Sequence, residues 1–279
     1  SSDVCSSDLT AVYLNGVLYT AVPYLISLLI SSLMIQVKAG QIFPWGEVLK
    51  TYCIHMSFFL LMYTVVIAAA LMTGNTIVNV LGSAVFFLWG PGTVMLLIGY
   101  FSSYYITFYQ DGNRFVELLQ KSSPAAWYIG AVSEPEKAGS MALWAVAVTV
   151  LLIALCVFLY KKRPSEAAGR AMAFRKSQPV IKLLLVVPIA LTGSLIFREM
   201  IGSDGWSIFG LVCGLVISYA IIEIIYNFDF RRLFAHKKQF ALCTVCSLAI
   251  LAFFRFDLSG FDSYVPSESK MEAAGIYCR

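Results

Sequence analysis

Charge is what this chain has least of. Charged residues make up 13% of its 279 positions, about half the share of a soluble domain, and the mean hydropathy is +0.78. A water-exposed globule is excluded. Histidine is nearly absent, with only His55 and His236, so a His-rich metal centre or nucleophile site is hard to build. There is no GxxxxGK[ST], no HExxH and no GxSxG, so a P-loop is excluded and an intramembrane enzyme is disfavoured. Cys53, Cys156, Cys213, Cys243 and Cys246 lie in apolar runs, and no disulfide framework follows from the seven cysteines. The CxxC at Cys243 and Cys246 reads as packing. A net charge of +4 in short scattered clusters implies no nucleic-acid partner.

What the chain does have is apolar runs long enough to cross about 30 Å of hydrocarbon. Seven spans are expected, at 12–37, 52–72, 77–102, 141–160, 180–197, 206–226 and 240–256. The fold class is therefore an all-α polytopic integral membrane protein. The Lys and Arg distribution sets the orientation. Lys161, Lys162, Arg163, Arg170, Arg175 and Lys176 follow the fourth span, and Arg231, Arg232, Lys237 and Lys238 follow the sixth. Both loops are assigned to the cytoplasm. By alternation the turn Thr73, Gly74, Asn75 and Thr76 is also inside, while 103–140 and everything after Phe256 lie outside.

The ends read differently from the middle. Ser1–Leu9, "SSDVCSSDL", contains Ser-Ser-Asp twice and resembles a translated sequencing adapter, so it is set apart from the fold. Residues 257–279 alternate polar and apolar residues and read as the first strands of an extracytoplasmic soluble domain. The chain is expected to be a fragment of a longer gene product.

Ionisable groups at membrane depth are costly and are the default functional candidates. Glu223 near the inner end of the sixth span is the first, with a basic residue of an inner loop as its expected partner and an interfacial snorkelling role favoured over transport. His55, near the outer end of the second span, reads as interfacial and structural. Lys182, Arg198 and Arg255 read as interface anchors. Gly210, Gly214 and Ser218 form a small-residue face suited to close helix packing or dimerisation. Gly90, Pro91 and Gly92 sit inside the third span, where a kink or hinge is expected. The outer stretch "YQDGNRFVELLQKSSPAAWYIGAV" predicts two short interfacial or re-entrant helices broken at Ser123-Pro124.

The order of these features resembles type-2 ABC exporter permeases, and within them a Firmicutes subgroup with extra helices and a C-terminal extracytoplasmic domain. The resemblance rests on "LMTGNTIVNVLGSAVFFLWGPGTVMLLIGY", "SSPAAWYIGAV", "YKKRPSEAAGRAMAF", "IIEIIYNFDFRRL" and "DLSGFDSYVP". It implies a partial permease core over 10–160, three additional spans over 161–256, and the start of the outer domain at 257–279. It also implies a homo- or heterodimer in the bilayer of a bacterial cell membrane, with ATP bound by separate cytoplasmic ATPase subunits and no cofactor in this chain. The first two core helices and the main ATPase-coupling segment would lie upstream, leaving Thr73–Thr76 as a minor ATPase contact. Substrate is left open. An alternative of another class is a membrane sensor that binds an extracellular ligand such as an antimicrobial peptide.

Overall fold

A computed structural model describes residues 2–39, 45–163, 171–174, 177–227 and 236–264. They form helices α1 (Ser2–Ala39), α2 (Trp45–Met72), α3 (Thr76–Tyr104), α4 (Gly112–Lys121), α5 (Pro124–Ser133), α6 (Pro135–Lys162), α7 (Gln178–Ile201), α8 (Asp204–Asn227) and α9 (Lys237–Arg255). All seven expected spans are present as apolar helices: α1 from Leu9 to Lys38, α2, α3, α6, α7, α8 and α9. Most run several residues past their apolar cores, because backbone bonding continues where the side chains turn polar. The chain is an all-α polytopic membrane protein. Arg231 and Arg232 and residues 265–279 lie outside the described residues.

The chain divides into two compact units. The first comprises 1–92, 116–178 and 225–227. Its centre is the seam between α2 and α6, where Phe58 and Leu61 pack on Ala138, Ala142 and Ala145. Those alanines recur every three or four residues, which puts them on one helix face and lets the two backbones approach closely. Trp127 and Tyr128 of α5 close the seam at one end, Trp127 meeting Phe58 edge-on with ring centroids 5.8 Å apart.

The second unit comprises 93–115, 179–224 and 228–279. Here α7 and α8 touch backbone to backbone. A Cβ added at Gly193 would lie 2.6 Å from the Gly210 carbonyl oxygen, and one at Gly210 would lie 2.4 Å from that of Gly193. Gly214 faces Ala190 in the same seam, and Ser218 is buried one turn further on. The small-residue face is therefore covered by α7 of the same chain. That removes it as a dimerisation face.

The expected hinge resolves into two different glycines. α3 continues as one helix through Pro91. A Cβ at Gly90 would sit 1.8 Å from the Ser122 carbonyl oxygen, whereas Gly92 has open space around it. Gly90 is a packing glycine that admits the α4–α5 connection. Gly90→Ala is expected to destabilise by about 1–3 kcal/mol, as overpacking against backbone does. Gly92→Ala should stabilise by roughly 0.5–1 kcal/mol, since alanine is the better helix former. Thermal unfolding of the two variants in detergent checks the contrast; equal effects would contradict it.

After α9 the expected strand is replaced, over the described part, by turns. Asp257 adopts a positive φ of 42°, a conformation Asp tolerates when its side chain bonds local backbone. Its carboxylate accepts from the Phe261 and Asp262 amides at 2.8 and 3.0 Å. Desolvation raises the Asp257 pKa, but these bonds and the Ser259 hydroxyl outweigh it and hold the group below the usual range. Asp262 is also held low, first by the Thr107 hydroxyl, against a desolvation cost and with help from the Thr107 and Ile106 amides.

Both carboxyls thus have folded pKa values below their unfolded ones. Their stabilisation is complete above the ordinary carboxylate range and is lost as pH falls through the lowered values. Amide exchange at Ile106 and Thr107 should therefore accelerate between about pH 4 and pH 2 beyond its intrinsic rate. Asp262→Asn should shift that acceleration, and an unchanged profile would sink the assignment.

Candidate functional site

Lys182 lies in the second turn of α7, Glu223 in the last turns of α8, and His236 and Gln239 at the start of α9. The three helices bring these residues to one point. Lys182 donates to Glu223 and, at 3.0 Å, to Gln239 Oε1. His236 Nδ1 is 2.6 Å from the other Glu223 oxygen. Glu223 is 0% exposed and Lys182 2%. The Lys182 ammonium also lies 5.0 Å from the Tyr219 ring centroid, and the Tyr219 hydroxyl donates to the His236 carbonyl oxygen.

Glu223 has a basic partner, but it is Lys182 within α7 and not one of the inner-loop residues expected for it. Neither member of the pair snorkels, however: Lys182 is buried against Glu223 instead of reaching outward from the helix end. Two opposite charges removed from water are tolerable only because each is bonded to the other and to further polar groups. His236 carried no signal in the sequence, since it is thirteen residues from Glu223 and stands at the start of a different helix.

The opposite ends of the same helices carry a second ionic cluster. Asp204 at the start of α8 pairs with both Arg198 of α7 and Arg255 of α9. Arg198 also donates from Nε to Ser103 Oγ at 2.9 Å, and its guanidinium lies 3.8 Å from the Tyr104 ring centroid. Arg198 and Arg255 thus do mark a helix end, as expected, but by pairing rather than by snorkelling. Along α8 the two clusters are nineteen residues apart, Asp204 to Glu223, or about 28 Å at 1.5 Å per residue. That matches the hydrocarbon thickness.

In the first unit the turn Thr73–Thr76 is braced. Asn75 caps α3, its side-chain oxygen accepting from the Ile77 amide at 2.8 Å. Arg163 donates to the Thr73 carbonyl oxygen at 2.9 Å, and the Ala173 amide donates to Met72. Thr73 is buried, while Thr76 is exposed. Of the basic group after α6, Arg163 reaches this turn, and Lys162 sits over the Phe158 ring at 4.4 Å.

The expected pair of short helices is also present. α4 and α5 are ten residues each and meet at Ser123, whose Oγ accepts from Ala126 N at 3.2 Å as the α5 cap. α4 buries none of its residues, whereas α5 packs on α2 and α6.

Among the described residues, no group of three or more His, Cys, Asp or Glu is placed to hold a metal ion. No family model, no characterised protein and no solved structure matches this chain. What the fold defines is a class, a multi-pass α-helical membrane protein with ionic clusters at both ends of one three-helix group.

Proposed function

We propose that the chain is the membrane-spanning permease subunit of an ATP-driven exporter. It works with separate cytoplasmic ATPase subunits and a second permease, and forms part of the path a substrate takes outward through a bacterial cell membrane. The observation that carries this reading is the order of elements from α2 to α6. Two long spans, α2 and α3, are followed by two ten-residue helices, of which α5 returns to pack on α2 and on the next long span, α6. Such a short pair has no role in merely crossing the bilayer, and it suits an outer gate beside a path.

The braced turn Thr73–Thr76 supports the other half of the reading. A partner pushing on a soft loop would lose its motion there, whereas this turn is tied to α3 by its cap and to the segment after α6 by Arg163. It can pass displacement to both helices.

The test uses the gene product tagged at its own locus and isolated from its own membranes. A stoichiometric P-loop ATPase encoded beside it should co-purify, and Thr76→Glu should weaken that association. Glutamate in a first helical turn suits the helix dipole, so α3 itself should stay intact. Purification with no ATPase, under conditions that preserve a known transporter of the same membrane, would overturn the reading.

A further inference from the structure

The connection between α4 and α5 lies within the depth of the membrane. The Ser122 carbonyl oxygen stands 1.8 Å from where a Cβ on Gly90 would be, and Gly90 is fourteen residues along α3 from Thr76. Trp127 of α5 meets Phe58, which is fourteen residues before Met72 in α2. Both contacts are about 21 Å from the inner end of their span at 1.5 Å per residue. In a hydrocarbon core about 30 Å thick, that places the connection about 9 Å below the outer edge. Gln120 of α4 closes on Gly130 of α5, so the two short helices form a re-entrant hairpin.

The tip of this hairpin is charged. Lys121, the last residue of α4 and the neighbour of Ser122, pairs with Glu117 one turn earlier at 2.5 Å. Their side chains are 68% and 61% exposed. At 3.6 residues per turn, Val116 and Leu119 stand on the opposite face of the helix. That apolar face suits lipid. The charged face does not, because ionisable groups at membrane depth face a protein interior or a water-filled cavity, and the described residues leave this face uncovered. A second protein packed dry against it would have to desolvate both charges, and a neutral ion pair offers such a partner no net attraction.

We infer that the Glu117 and Lys121 face of α4 lines a water-filled recess, open to the outside, that admits small hydrated solutes as far as the α4–α5 connection. The recess deepens the exporter reading and rests on it for its far wall, which belongs to the second permease. Its test involves no ATPase, so the two can fail separately.

The experiment is thiol modification of single substitutions in sealed right-side-out vesicles, read peptide by peptide by mass spectrometry so that the native cysteines stay in place. Lys121→Cys should react with an impermeant trimethylammonium methanethiosulfonate at a rate comparable to Glu136→Cys, an exposed position in the first turn of α6. It should react roughly a hundredfold faster than Leu151→Cys, an exposed apolar position well inside α6, where hydrocarbon suppresses both the thiolate and the cationic reagent. Modification restores a positive charge beside Glu117. Glu117→Cys should react as readily with the sulfonate analogue, while Leu119→Cys on the opposite face should lag as Leu151→Cys does. A bulky polyethylene glycol maleimide should modify Glu136→Cys and spare Lys121→Cys, as a recess requires and a surface helix does not. Lys121→Cys and Glu117→Cys as slow as Leu151→Cys would mean that lipid or a second copy covers the face, and would overturn the inference. Equal access for the bulky reagent would overturn it too, by placing the hairpin on the outer surface.

Discussion

Glu223→Leu is expected to lower the stability of the protein by roughly 3–5 kcal/mol, the effect of breaking a buried ion pair from one side. Lys182 would be left 2% exposed, its carboxylate partner gone while Gln239 and the Tyr219 ring remain beside it. Lys182→Met should cost a similar amount, since it strands the Glu223 carboxylate with His236 as the remaining partner described. The double variant Lys182→Met with Glu223→Leu should recover most of the loss, because neither charge then has to be desolvated. Unfolding followed by helical signal in detergent closes this double-mutant cycle. Single variants within 1 kcal/mol of the parent would mean that the pair is open to water.

The second large effect belongs to the α7–α8 seam. Gly210→Leu should cost at least the 1–3 kcal/mol typical of overpacking, because the first added atom already falls 2.4 Å from the Gly193 carbonyl oxygen. Backbone cannot swing aside as a side chain can. The helices must separate, and separation strains both ionic clusters that pin their ends. Gly139→Leu on α6 is the matched control, as nothing lies within 4 Å of its added Cβ. A loss at Gly210 no larger than at Gly139 would contradict the close approach.

How much of this could be read from the sequence differs by feature, for physical reasons. The seven spans and the short helix pair could be read, because a stretch of apolar residues and a Ser-Pro break act locally. Gly210, Gly214 and Ser218 could be recognised as a packing face from their spacing alone, but not their partner, Gly193, which belongs to another helix. Glu223 stood out by its cost in an apolar run. Lys182 did not, because a lysine near a helix end usually snorkels, and only the convergence of α7, α8 and α9 buries it. Gly90 and Gly92 look alike in sequence, and the Ser122 carbonyl makes them different. Asp257–Tyr264 looked like a strand from its alternation, yet local side-chain bonds to backbone amides turn it instead.

Arg198 and Arg255 show the same limit. Each could be placed at a helix end by its position, but their shared partner Asp204 is a fact of tertiary structure. With both ends of α7–α9 held by ion pairs, motion in this chain is expected to concentrate in the first unit. There α1 leans on α2 largely through tyrosine hydrogen bonds, Tyr13 to Thr64 at 2.8 Å and Tyr52 to the Ala21 carbonyl oxygen at 3.2 Å.

The measurement that tests the permease reading most directly is ATP hydrolysis by the neighbouring P-loop ATPase in proteoliposomes, with and without the gene product. Hydrolysis should rise severalfold when the gene product is present and fall back towards the basal rate with Thr76→Glu, while the helical signal stays unchanged. A rate indifferent to the presence of the membrane subunit would contradict the account.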